Sequence, residues 1–213
     1  MTGPGAPGDG PPFVVLAVCT GNVCRSPVAE LLLRAGLGTG SGVEVTSAGL
    51  DALTGRPVDP AMARRLAARG VDPHGFTARQ LDPAGVRRAD LVLTATATQR
   101  RSVVALVPAA VRRTSTLLEF AAVAGLVDPA ALPERPGNRL AALVGAAPRA
   151  RALRTGPAAD DVEDPYRRPE DAFDRAFTAI DDAVGRLLAV LRPHPAPAGA
   201  GRPVRVTTGG ALR

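Results

Sequence analysis

The stretch FVVLAVCTGNVCRSPVAE, Phe13 to Glu30, decides how the chain is read. Phe13 to Val18 is an unbroken apolar run rich in β-branched residues. A run that does not alternate with polar residues suits a strand buried on both faces, as in a parallel sheet. It leads into Cys19-Thr-Gly-Asn-Val-Cys-Arg-Ser26 and then Pro27, a residue favoured at the first helical position after a Ser cap. The helix is expected to run to about Arg34 and to stop at Gly36. The segment reads as a strand, a short polar loop and a helix N-terminus.

Outward from this segment the pattern repeats. Val43 to Ala48 reads as a second strand, Asp59 to Arg69 as a helix stopped by Gly70, Ala89 to Thr94 as a third strand and Thr98 to Leu106 as a helix. Arg113 to Leu117 reads as a short fourth strand. Phe173, Ala176, Phe177, Ile180, Ala183, Val184, Leu187, Leu188 and Leu191 fall at three- and four-residue steps and predict a long amphipathic helix. The fold class expected is α/β, an open, mostly parallel four-stranded sheet flanked by helices. In such sheets ligands sit beyond the carboxyl ends of the strands, where the Cys19 loop leaves strand one. One domain is expected over 13–192. Residues 121–159, rich in Ala, Pro and Arg, read as an insertion with a helix at Arg139 to Ala146. Residues 1–12 and 193–213 read as a disordered lead and tail.

Composition narrows the chemistry. The 213 residues include 26 Arg, no Lys, two Cys and two His, and only 3% are aromatic. Lysine-dependent mechanisms are excluded, including the phosphate-loop lysine of nucleotide hydrolases. His74 and His194 stand too far apart in sequence to suggest a multi-histidine metal site, so neither a metal nor a cofactor is expected. Residues 160–182 hold nine acids against three Arg, and the remainder holds 23 Arg against 11 acids. The basic body lacks the interleaved aromatics and motif spacings of nucleic-acid binders, so no nucleic-acid partner is expected. No run is long and apolar enough to span a membrane, and no signal peptide is recognised. A cytoplasmic location with reduced thiols follows as the expectation.

The loop itself meets several physical demands at once. A thiol at a helix N-terminus faces unpaired N–H groups that lower its pKa from the free value of ~8.5. A short loop turns its peptide N–H groups toward one point and makes a cradle for a tetrahedral dianion. Gly21 supplies backbone freedom, and Asn22 tolerates a left-handed conformation. Arg25 offers a fork for two phosphate oxygens, and Ser26 a hydrogen bond to the thiolate. These features point to attack by Cys19 on a phosphate monoester.

VLAVCTGNVCRSPVAE, residues 15–30, resembles the signature of low-molecular-weight protein-tyrosine phosphatases. The resemblance continues through Thr46-Ser-Ala-Gly49, Ala78-Arg-Gln-Leu81, Ala89-Asp-Leu-Val-Leu93 and Asp164-Pro-Tyr166, covering 13–120 and 160–191. It implies Cys19 as nucleophile and Arg25 as phosphate ligand, with Asp164 as general acid and then general base. It places Thr20, Gly21, Asn22, Val23 and Cys24 around the phosphate and Tyr166 beside the substrate ring. Ser26 and Ser47 are implied as supports of the loop, and Cys24 as a redox partner of Cys19 or a packed small residue. The implied substrate is a phosphorylated protein or peptide.

Some positions depart from that pattern. Phe76 stands where the family often has a histidine, Arg167 where a second aromatic follows Asp-Pro-Tyr, and Leu50 to Thr54 contains no aromatic. Arg167 and Arg168 read either as a solvated pair or as contacts for acids flanking a phosphotyrosine. Arsenate reductases relaying through a small thiol share the scaffold but tend to carry Gln at the position of Pro27. Protein-arginine phosphatases share it too, with Thr at the position of Val23 and usually Phe at that of Tyr166. Val23 and Tyr166 favour an aryl phosphate.

Overall fold

The computed structural model describes residues 10–154 and 160–192. Four strands form one sheet: β1 (Phe13–Cys19), β2 (Val43–Gly49), β3 (Leu91–Thr94) and β4 (Thr114–Thr116). Their order is β2-β1-β3-β4 and every pairing is parallel. Along β1, Val15, Ala17 and Cys19 pack into one apolar cluster while Leu16 and Val18 pack into another. The sheet is thus covered on both faces, which is why its central strand carries no polar alternation. The direction in which successive strands are added reverses at β1, since β2 lies on one side and β3 on the other. A crevice opens at the carboxyl end of β1 in such an order, and Cys19 stands there.

The first helix, α1 (Arg25–Leu37), departs from expectation at both ends. Its N-cap is Cys24 rather than Ser26, because the Ser26 hydroxyl is turned to Cys19 instead of a backbone amide. It does not stop at Gly36. A side chain there would strike Leu188, its Cβ falling 2.1 Å from Leu188 Cδ1, so this glycine marks a close helix–helix contact, and the C-cap is Gly38. The partner helix is α7 (Glu170–Leu191), whose apolar stripe from Phe173 to Leu191 is buried. Between them α2 (Pro60–Ala68) is capped by Asp59, α3 (Pro83–Arg88) by Asp82, and α4 (Ala97–Leu106) by a Thr96–Gln99 capping box.

The stretch expected as an insertion with a short helix is largely helical over its described residues. The helix α5 (Leu117–Ala124) runs into it from the sheet, and α6 (Pro136–Ala152) continues through Pro148 well past the expected end at Ala146. Both share the α7 face of the core: Phe120, Ala121, Val123, Leu140, Leu143, Ala147 and Ala150 are buried in the same cluster as α7. Arg139 is 2% exposed and donates to the carbonyls of Pro133, Val190 and Pro129 at 2.6, 2.6 and 3.2 Å. Val190 is in the last turn of α7, where carbonyls lack helical partners, so this cation joins α6 to the end of α7. Of the expected lead, residues 1–9 lie outside the described residues, and so does the expected tail 193–213.

Candidate active site

Residues 19–24 turn the chain from β1 into α1, and their conformation is set from outside. Leu50 N donates to Cys19 O, Asp51 N to Thr20 O, Leu53 N to Gly21 O and Asp59 N to Val23 O, at 2.8–3.0 Å. In a planar trans peptide the next N–H points opposite to the carbonyl. Drawing these carbonyls toward the 50–59 loop therefore turns the amides of Thr20, Gly21, Asn22 and Cys24 the other way. Asn22 N–H reaches Cys19 Sγ at 3.3 Å. The close seat of this loop on β2 requires Gly49, where a Cβ would lie 2.4 Å from Thr20 O.

Asn22 is left-handed at φ 53° and fully buried. Its Nδ2 donates to Ser26 Oγ and Ser47 Oγ, both at 2.8 Å, and its Oδ1 accepts from Arg79 N. Ser26 Oγ, having accepted from Asn22, has its own proton for Cys19 Sγ at 3.0 Å. The Ser47 hydroxyl donates to Glu30 Oε2 at 2.6 Å. Glu30 is 2% exposed, and the Arg79 and Arg34 guanidinium groups lie 3.3 and 3.1 Å from it. Phe76, at the position of the family's histidine, is a buried core residue. The chain Cys19–Ser26–Asn22–Ser47–Glu30 thus ends on two arginines without any imidazole.

Arg25 is almost completely buried. Its Nη1 donates to Val162 O at 3.3 Å and its Nη2 to Asp164 Oδ2 at 2.6 Å, while its Nε is buried without a hydrogen-bond partner among the described residues. A buried donor without a partner is costly unless a ligand takes it. Cys19, Thr20, Gly21, Val23, Cys24, Arg25, Asp51, Leu53, Asp164 and Tyr166 enclose a cavity of about 160 Å3. Of the expected residues, only Asn22 among the proposed phosphate contacts does not line it. Its side chain braces the loop from behind, and Ser26 and Ser47 lie in the same bracing network. Burial pushes the Cys24 thiol far up, with the negative charges of Asp59, Cys19 and Asp164 adding to the effect. A wider groove of about 920 Å3 runs between α1, β2 and the 70–79 loop, and neither Cys19, Arg25 nor Asp164 lines it.

Several contributors were not foreseen from sequence. Gln99 Nε2 holds Thr20 Oγ1 at 3.1 Å, Asp51 and Leu53 line the cavity, and Glu30 and Arg79 close the network. The only prior signal for Arg79 was its place in Ala78-Arg-Gln-Leu81, and Glu30 closed the quoted loop signature without a role.

A cysteine in a turn of converging amides, backed by a buried arginine at the crevice of a parallel sheet, is an arrangement able to receive a tetrahedral anion beside a thiol. The family model of the low molecular weight phosphotyrosine protein phosphatases matches residues 14–134, and the chain belongs to that family. It is 45% identical over 94 residues to the probable low molecular weight protein-tyrosine-phosphatase EpsP of Ralstonia solanacearum, a match covering 44% of this chain. The match spans 63% of the length of EpsP. With the low molecular weight protein-tyrosine-phosphatase Wzb of Salmonella typhi it shares 32% over 167 residues, covering 78% of this chain and 86% of Wzb. Among solved structures, a low molecular weight protein tyrosine phosphatase from T. tengcongensis superposes with TM-score 0.61 at 27% identity, covering 83% and 98% of the two chains. The YwlE arginine phosphatase from Geobacillus stearothermophilus superposes with TM-score 0.62 at 26% identity, covering 84% and 93%.

Proposed function

We propose that the protein is a protein-tyrosine phosphatase that hydrolyses phosphotyrosine or another aryl phosphate through a phosphocysteine intermediate. The observation that carries this reading is that Cys19, Arg25 and Asp164 line one cavity, with Arg25 Nε buried and unpaired among the described residues. The amides of the loop and the Arg25 fork hold the equatorial oxygens of the phosphoryl group. The Cys19 thiolate attacks phosphorus and the P–O bond to the ring breaks. Asp164 gives its proton to the departing phenolate. Its carboxylate then takes a proton from water, which attacks the phosphocysteine, breaks the S–P bond and restores the thiolate with release of inorganic phosphate.

The charge on the phosphoryl oxygens is met by arginine and amides, so the scheme calls for no metal. Val23, buried in the cavity lining, and Tyr166 at its mouth present an apolar wall suited to a ring. This favours an aryl phosphate over the phosphoarginine that the name of YwlE implies for that protein. A thiol nucleophile requires a reducing compartment, and a cytoplasmic site of action belongs to the same reading. Among the described residues no helix is long and apolar enough to cross a membrane. Phosphorylated proteins or peptides are the proposed substrates.

The test is hydrolysis of p-nitrophenyl phosphate and of phosphotyrosine and phosphoarginine peptides, with and without EDTA. Turnover of the aryl substrates that survives EDTA and vanishes in Cys19→Ser is expected. Full activity in Cys19→Ser, or a strict preference for phosphoarginine, overturns the assignment.

A further inference from the structure

By sequence, residues 160–182 look like a solvated acidic segment, but seven of its nine acids are held in ion pairs. Asp160 pairs with Arg154, Glu163 and Asp171 with Arg175, and Asp164 with Arg25. Glu170 pairs with Arg64 and Arg65, Asp174 with Arg65, and Asp181 with Arg69, while Asp161 accepts from Ala97 N. Arg167 and Arg168, exposed in the middle of this stretch, form no ion pair among the described residues. The loop that bears Asp164 therefore presents two guanidinium groups to solvent, Arg168 lying in the field of Glu163.

Arg167 is also held in a particular place. It sits at φ 59°, a left-handed conformation disfavoured for a residue with a Cβ. Its guanidinium carbon lies 5.3 Å from the centroid of the Tyr166 ring, within cation–π range. Tyr166 lines the cavity and Arg167 does not, so the exposed cation stands one ring away from it. A cavity of about 160 Å3 takes a phosphorylated ring but no neighbouring peptide residues. Those residues must cross the rim, beside the Tyr166 loop that carries the exposed Arg167 and Arg168 and beside the exposed Asp51, which is in no ion pair among the described residues.

We propose that Arg167, with Arg168 beside it, recognises a carboxylate next to the phosphotyrosine, so that acidic phosphotyrosine segments are the preferred substrate class. Asp51 adds polarity to this choice, disfavouring an acid on the flank that crosses the 50–59 loop. The inference rests on the phosphatase reading above. It assigns Arg167 to substrate recognition and not to the chemical steps.

The test compares kcat/KM of the full chain for three phosphotyrosine peptides, identical except for Glu, Gln or Arg on both flanks, with p-nitrophenyl phosphate as the reference for chemistry. At low salt the Glu peptide is expected to exceed the Gln peptide about threefold to tenfold, mainly through KM, and the ratio should shrink as salt rises. Arg167→Ala should bring that ratio, measured on the same variant, down about two- to fivefold, and Arg167→Glu should invert it. Arg168→Glu supplies a second variant should Arg167→Glu fold poorly. Equal kcat/KM for Glu and Gln peptides in the wild type, or a ratio unmoved by both charge reversals, overturns the inference. In that event turnover of p-nitrophenyl phosphate leaves the phosphatase reading intact. Absence of turnover on every substrate overturns both.

Discussion

Asp164 Oδ2 lies 2.6 Å from Arg25 Nη2, and the same guanidinium keeps its Nε unpaired. The proposed acid thus occupies part of the proposed phosphate ligand. The Asp164 side chain is half exposed whereas that of Arg25 is buried. The carboxylate is therefore the partner free to leave. In the proposed reaction an arriving phosphate monoester takes both guanidinium edges as a fork and releases Asp164, which takes up a proton from solvent before it serves the leaving oxygen.

Self-competition of this kind has a measurable consequence. Asp164→Asn removes the charge that holds Arg25, so inorganic phosphate should bind more tightly, by about two- to tenfold for a half-exposed ion pair. Calorimetric titration of phosphate into wild type and variant checks it. Equal affinities would show that the ion pair does not oppose phosphate.

The same residue should be indispensable for turnover. Asp164→Ala is expected to lower kcat for p-nitrophenyl phosphate by about 10²–10³-fold. The loss should be smaller for a phenolate that leaves readily without protonation, such as a dinitrophenol. A uniform loss across leaving groups would point to a binding role instead of proton donation.

Behind the loop, Ser47 and Asn22 have no contact with solvent but join Cys19 to Glu30 through the hydrogen bonds described above. Ser47→Ala leaves Asn22 Nδ2 and Glu30 each short of a buried partner, at about 1–3 kcal/mol for a group left unsatisfied. A fall in kcat/KM of about tenfold is expected. Asn22→Ala should cost more, since it also places a Cβ-bearing residue less tolerant of the left-handed region at φ 53°. Steady-state kinetics beside thermal unfolding separates the loop's effect on turnover from global instability.

What sequence could and could not reveal divides along physical lines. The strand, loop and first helix are legible because apolar content, the cysteine–arginine spacing and Pro27 are local signals. The α7 stripe is legible through its period. The length of α6 is not, because Pro148 normally ends a helix and its buried face mixes Leu140 and Leu143 with small alanines. The Ser26 cap fails because a hydroxyl offered to a backbone amide is offered equally to a thiol close in space. Gln99, Glu30 and Arg79 act across 79, 17 and 49 residues of chain. Such contacts are fixed by topology and carry no local pattern.

Cys24 links the site to alkaline stability. Burial, with nearby negative charge, raises its pKa well above the ordinary thiol value of about 9. Below pH 9 the thiol is protonated in both folded and unfolded chains and does not affect the balance. Above pH 9 the unfolded chain releases the proton while the folded one holds it, so stability falls by about 1.4 kcal/mol per pH unit from this group. Cys24→Ala should flatten the decline of Tm between pH 9 and 11. An identical decline in wild type and variant would assign the alkaline loss to other groups.

Arg139 is a structural cation by its burial. Its three carbonyl acceptors come from the 129–133 turn and from Val190, and the guanidinium neutralises the carbonyl end of α7. Arg139→Ala would leave those carbonyls unpaired and open a cavity beside Leu140 and Leu143, whereas Arg139→Met would refill most of the volume without the hydrogen bonds. Loss of hydrogen bonds to a charged group costs about 1.5–3 kcal/mol each at most, and not additively. Arg139→Met should therefore destabilise by roughly 2–4 kcal/mol, and Arg139→Ala by more, since it adds the cavity. Denaturant unfolding of the two variants checks the order. Met as harmful as Ala would place the whole effect in the hydrogen bonds, and a neutral Met would place it in packing.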